Sequence, residues 1–190
     1  RSQASRINLD RVPAPWRSAP IIHLGPIANE VDSVLPGGFS PSVLGLTPQG
    51  WMRQWDSDGL VSPCEWAGSE SALARAGAVV LSREDVNGDD VLIEHMAGQT
   101  RILVVTEGAA GAVLYWHGDR RRFRAPSVNE VDATGAGDQF AAGFLYGLAT
   151  GRPLDVAGRV SGAAPVSMSA RYTGRTIARW LWERVPVRTT

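Results

Sequence analysis

Lysine is absent from this sequence: all 19 basic residues are arginine, and 19 aspartates and glutamates bring the formal net charge to zero. Without lysine the chain holds neither a Walker-type phosphate loop nor a protein-kinase-type site, since both place a lysine on the phosphates. Zero net charge leaves no field to draw nucleic acid or an anionic membrane, and neither is an expected partner. Cys64 is the only cysteine. It excludes an intrachain disulfide, reads as a small semi-buried side chain rather than a nucleophile, and fits a reducing compartment, so the expected location is cytoplasmic. His23, His95 and His117 lie far apart, with no cysteine or carboxylate at metal-ligand spacing, and read as core or surface residues rather than a zinc site. No apolar run approaches the length of a membrane span, and no signal-peptide pattern opens the chain. Nucleophile elbow, internal repeat and low-complexity tract are missing too. The first residue is arginine and positions 1–20 have weak periodicity, so the chain is expected to start inside a longer natural one.

What is present alternates. Short apolar runs at 21–24, 42–46, 78–81 and 102–105 read as buried strands, with helical patterns at 69–76 and 89–96 and a short helix over 29–35. Fully apolar strands alternating with amphipathic helices predict an α/β fold, a mostly parallel sheet with helices on both faces. Strands at 113–117 and 121–124 flank Gly118-Asp119, a hairpin signal. The arginines Arg120, Arg121, Arg122 and Arg124 on it read as a charged face that discourages edge pairing, ahead of a nucleic-acid patch. The stretch 51–66 carries Trp51, Trp55 and Trp66, which read as covers over a core edge, ahead of a substrate wall. A kinked helix over 154–170 and a last helix over 175–185 complete the pattern.

The organising stretch is 128–151. A β-like segment, 128–131, leads into Asp132-Ala133-Thr134-Gly135-Ala136-Gly137-Asp138, a loop of nearly bare backbone. From Gln139 the apolar period becomes helical, and Gly151-Arg152-Pro153 stops it. Strand, glycine loop and helix make an anion site, because the first turn of a helix has unpartnered N–H groups and partial positive charge. Asp138 in that turn is either a simple cap or a base that takes a proton from an attacking hydroxyl. Asp132 stands ready to orient the loop or hold a cation.

Over more than a dozen consecutive positions, Asp132 to Phe144 closely resembles the C-terminal signature of the PfkB/ribokinase family of small-molecule kinases. The resemblance implies that Asp138 is the catalytic base, that the backbone of Gly135, Ala136 and Gly137 up to Asp138 is the anion hole, and that Asp132 lies by a monovalent cation such as K⁺. It places Thr106, Gly108 and Gly111 in the nucleotide loop on ATP, with Glu107 where the family usually has an apolar residue. Ser82 and Asp85 occupy the positions of the family's Asn-x-x-Glu motif, Asp85 acting on Mg²⁺ through water and Ser82 on phosphate or Mg²⁺. The segment 161–174 resembles the part that closes over adenine, giving nucleotide roles to Ser161 and Gly174.

The family's substantial N-terminal part, with its first strands, lid and most substrate contacts, is not recognisable here. The expected organisation is therefore one incomplete ribokinase-like domain: an irregular lead-in over 1–20, then a nucleotide-binding and catalytic portion over 21–190 that turns over poorly by itself. The function expected is an ATP-dependent kinase acting on a sugar, polyol or nucleoside, with homodimerisation open. A catalytically silent nucleotide- or sugar-binding module of the same fold is the alternative. A nicotinamide enzyme needs a glycine fingerprint after the first strand, which Leu24-Gly25-Pro26-Ile27 does not supply.

Overall fold

A computed structural model describes residues 5–125 and 135–158. Strands β1 (Ile21–Leu24), β2 (Val43–Leu46), β5 (Ala78–Ser82), β6 (Ile102–Thr106), β7 (Ala112–Trp116) and β8 (Asp119–Phe123) form one sheet in the order β1-β2-β5-β6-β7-β8. The pairings from β1 through β6 are parallel, and β7 and β8 are added antiparallel. A separate antiparallel pair is made by β3 (Arg53–Trp55) and β4 (Val61–Pro63). The helices are α1 (Ala14–Arg17), α2 (Ser69–Arg75), α3 (Asp90–Gln99) and α4 (Ala136–Ala149).

Alternation along the strands sends side chains into two cores. Leu44, Leu46, Val79, Leu81, Leu103, Val105, Val113 and Tyr115 face one side, where Leu73 of α2 and Ile93 and Met96 of α3 cover them. On the other side, Ala78, Val80, Ile102, Val104, Ala112 and Leu114 pack with Phe140, Ala141, Phe144 and Leu145 of α4. The mostly parallel sheet with helices on both faces is thus the observed fold. Gly45 of β2 sets the approach of α4, since a Cβ there would come within 2.2 Å of Leu145 Cδ1.

Several local expectations are corrected. The stretch 29–35 is not helical. There the Glu30 carboxylate accepts the Ile27 and Ala28 N–H groups, and Asn29 takes a positive φ of 56°, which together favour tight turns. The lead-in is partly ordered, with a 3₁₀ turn over Leu9–Arg11 before α1. The hairpin turns one residue earlier than expected, at His117-Gly118, whose φ values of 49° and 80° suit the two-residue turn that matches strand twist. Trp51 and Trp66 are buried and stacked, with centroids 4.8 Å apart, so they do cover a core edge. The strand expected over 128–131, most of the kinked helix and the last helix lie outside the described residues.

Candidate active site

Helix α4 starts at Ala136, three residues before the helical period that the sequence shows from Gln139, so Ala136, Gly137 and Asp138 form its first turn rather than a loop. Gly135 is the N-cap, in the left-handed conformation (φ 76°, ψ 5°) that glycine adopts without strain, and it has no side chain with which to cap. Asp138 is therefore not the cap. It stands at the third helical position, exposed, in a turn whose N–H groups and dipole attract negative charge. Among the described residues, a Cβ built on Gly135 or Gly137 would meet no atom within 4 Å, so none of them covers the backbone of this turn.

A second group of predicted residues meets at the carboxyl ends of β5 and β6, where Ser82 and Thr106 are register partners. The Thr106 hydroxyl donates to the Leu81 carbonyl (3.3 Å), tying the two strand ends together. Ser82 and Asp85 form a reciprocal capping box. Ser82 Oγ accepts from the Glu84 N–H (3.2 Å), and Asp85 Oδ2 accepts from the Ser82 N–H (2.9 Å). Asp85 Oδ1 also accepts from Gln49 Nε2 (2.7 Å) and lies 3.6 Å from Arg53 Nη2. Both carboxylate oxygens of Asp85 are thus engaged by protein groups. Among the described residues no cluster of three or more His, Cys, Asp or Glu is arranged to hold a metal by itself.

Gly108 takes φ 55° at the head of a 3₁₀ turn, with open space where its Cβ would be. Gly111 has a packing reason of its own: at φ 101°, a Cβ would fall 1.9 Å from the Phe123 carbonyl oxygen of the neighbouring hairpin. Glu107, the departure in this loop, is an ion-pair hub. It pairs with Arg122 of β8 and lies 3.7 Å from Arg83, which itself pairs with Asp90 at 2.8 Å. Arg83 and Glu107 thus link the 82–85 turn to the 106–111 loop. Asp132, Ser161 and Gly174 lie outside the described residues.

Two residues that the sequence reading did not mark also face this edge. His23, at the end of β1, hydrogen-bonds through Nε2 to Thr47 Oγ1 (3.1 Å). His23 is exposed at the surface, yet protein atoms crowd its ring enough that partial desolvation lowers its pKa, and the charge of Asp138 opposes that by raising it. Asp138 and His23 therefore lie within electrostatic reach of each other. The sheet edge thus carries polar groups in two places, at β1 and β2 beside α4 and at β5 and β6, where parallel sheets bind ligands.

The family model described as "pfkB family carbohydrate kinase" matches residues 76–177, just over half of the 190-residue chain. The chain belongs to the pfkB family of carbohydrate kinases. Fructokinase from Escherichia coli is 30% identical over 151 residues, which cover 71% of this chain and 48% of that protein. Inositol 3-kinase from Zea mays is 37% identical over 124 residues, covering 63% of this chain and 32% of the enzyme. This pfkB chain thus spans about half, or less, of the length of these relatives. In fold it is similar to a pyrophosphate-dependent myo-inositol-1 kinase converted by mutation into a myo-inositol-3 kinase. The TM-score is 0.75 at 18% identity, over 95% of this chain and 68% of that one. A ribokinase from Thermotoga maritima matches with TM-score 0.63 at 17% identity, over 91% of this chain and 58% of its own. The ribokinase-like fold is the fold of this pfkB chain.

Proposed function

We propose that this chain carries the donor-binding and proton-abstracting part of an ATP-dependent phosphotransferase that acts on a hydroxyl of a sugar, polyol or nucleoside. The observation that supports it most is Asp138, an exposed carboxylate that is not a cap, set one residue after a bare glycine turn at the start of α4. A carboxylate opposes an anion in such a turn, so its presence calls for a role, and accepting a proton from the attacking hydroxyl is that role.

ATP, when bound with Mg²⁺, supplies the phosphoryl group and the metal offsets its charge. Thr106, Gly108 and Gly111 form the nucleotide side. The N–H groups of Gly135, Ala136, Gly137 and Asp138 stabilise negative charge on the phosphate side, doing the work that a lysine does elsewhere. Asp85, held by its capping box and by Gln49, would hold Mg²⁺ through water, with Ser82 beside it. Asp132 belongs by resemblance to a monovalent-cation site for K⁺, and Ser161 and Gly174 to the adenine side. The relatives named above are fructose and inositol kinases, which favours catalysis over a silent binding module, and family membership sets the nicotinamide reading aside. Sugars, inositols and nucleosides are the acceptors to screen.

The anion hole is tested with Gly137→Val. The new side chain has room in the free protein, so thermal stability changes little, while branched carbons next to the helix N-terminus obstruct the phosphate. Calorimetry with Mg²⁺-ATP is expected to show affinity reduced by roughly 10-fold or more, a loss of about 1.4 kcal/mol. Unchanged affinity removes the turn from the donor site.

A further inference from the structure

The His23–Thr47 pair has no part in the account so far. Its placement follows from strand alternation. Ile22 and Leu24 of β1 pack with the core under α2 and α3, whereas Ile21 packs with the core under α4. His23 shares the Ile21 face, on which α4 packs, and lies farther toward the carboxyl end of the strand. Its register partner is Gly45, the residue over which Leu145 of α4 lies, and Thr47 follows Gly45 on the same face. The Thr47 N–H donates to the Leu24 carbonyl (2.9 Å), which fixes the threonine at the strand end. Gly25 leaves the pair its space, since a Cβ there would come within 2.7 Å of Thr47 Oγ1. Every one of these features keeps an imidazole and a hydroxyl together at the carboxyl end of β1 and β2, within electrostatic reach of Asp138.

We propose that His23, oriented by Thr47, is an acceptor-binding residue, and that it hydrogen-bonds the hydroxyl adjacent to the one whose proton goes to Asp138. The inference rests on the phosphotransferase reading and adds to it a specific residue on the acceptor side. Thr106, Ser82 and Asp85 sit at β5 and β6, while His23 and Thr47 sit at β1 and β2 beside the base, so the two ends of the edge divide between donor and acceptor. A neutral imidazole has one donor and one acceptor nitrogen, and with Thr47 on Nε2, Nδ1 remains to pair with a hydroxyl in whichever sense the tautomer allows. Burial favours that neutral form, and Asp138 is the charged group the structure sets against it among the described residues.

The experiment combines NMR and kinetics. The ring signals of His23, assigned with His23→Gln, are followed while myo-inositol, D-fructose or cytidine is added, and phosphate transfer to the same probes is measured. A shift of the His23 ring with an acceptor probe, absent in Thr47→Val, is the expected result. In kinetics, His23→Ala is expected to raise the acceptor KM about 10-fold, as for one lost hydrogen bond in a closed site, leaving the donor KM within about twofold. His23→Gln restores part of the loss. A monodeoxy analogue lacking the neighbouring hydroxyl shows no difference between wild type and His23→Ala. If phosphate is transferred but acceptor KM is unchanged in His23→Ala, the acceptor assignment is overturned and the kinase reading stands. If the ring responds to an acceptor and no phosphate moves, the kinase reading fails and the acceptor site stands. A silent ring with no transfer overturns both.

Discussion

Burial lowers the pKa of the His23 imidazole, and the charge of Asp138 raises it in part. The sign of the resulting pH dependence follows by linkage. Above the unfolded value near 6.5, both folded and unfolded states carry a neutral ring, and His23 has no effect on stability. As pH falls below it, the unfolded chain takes up the proton first, so stability is lost until the folded pKa is passed. Urea unfolding at pH 7, 6 and 5 is expected to show a midpoint falling more steeply in the wild type than in His23→Gln. Parallel curves for the two proteins would mean that His23 is not held in a desolvated place. Glu30 behaves oppositely in kind: burial pushes its pKa up, but the N–H groups of Ala28 and Ile27 outweigh that and hold it below the usual value. That carboxylate is a turn builder, which is why a helix over 29–35 was a reasonable reading of the apolar spacing and a wrong one.

Helix α4 carries the proposed catalytic turn, and Gly45 decides how close the helix lies to β2. In Gly45→Ala the added methyl meets Cδ1, Cδ2 and Cγ of Leu145 at 2.2, 2.6 and 2.9 Å, so the helix or the leucine must move. Overpacking of this kind costs about 1–3 kcal/mol. Urea unfolding is expected to show that loss, with partial recovery in Gly45→Ala/Leu145→Val; a neutral single variant would show that α4 is not seated on β2 as described. The helix itself was legible in the sequence, because Phe140, Phe144 and Leu148 keep helical spacing after the glycine loop. Its seat was not, since Gly45 lies 100 residues earlier and means nothing until β2 is placed beneath Leu145. The hairpin was legible to within one residue, the limit set by whether His117 accepts a positive φ. Glu107 departs from the family's apolar residue in the nucleotide loop because it is an ion-pair partner of Arg122 and Arg83, a role hidden until β8 folds back against β7.

The molecule as described sets two groups of polar residues along the carboxyl edge of one sheet, with α4 packed across β1, β2 and β5 on one face. Short-range patterns in the sequence supplied the glycine turn and the strand ends at 82 and 106, and the family resemblance supplied the proposed base, Asp138. It did not supply the acceptor pair, because His23 and Thr47 are 24 residues apart and meet only through the β1–β2 register. The central claim is that Asp138 takes the acceptor's proton, and Asp138→Asn addresses it most directly. The substitution keeps shape, and because Gly135 is the cap it removes none; the lost charge at the helix start costs at most about 1 kcal/mol of stability. Turnover of an acceptor identified by the screen is expected to fall by roughly 10²–10⁴-fold, with Mg²⁺-ATP affinity kept or increased as a negative charge leaves the phosphate site. Near-normal turnover in Asp138→Asn would contradict the account.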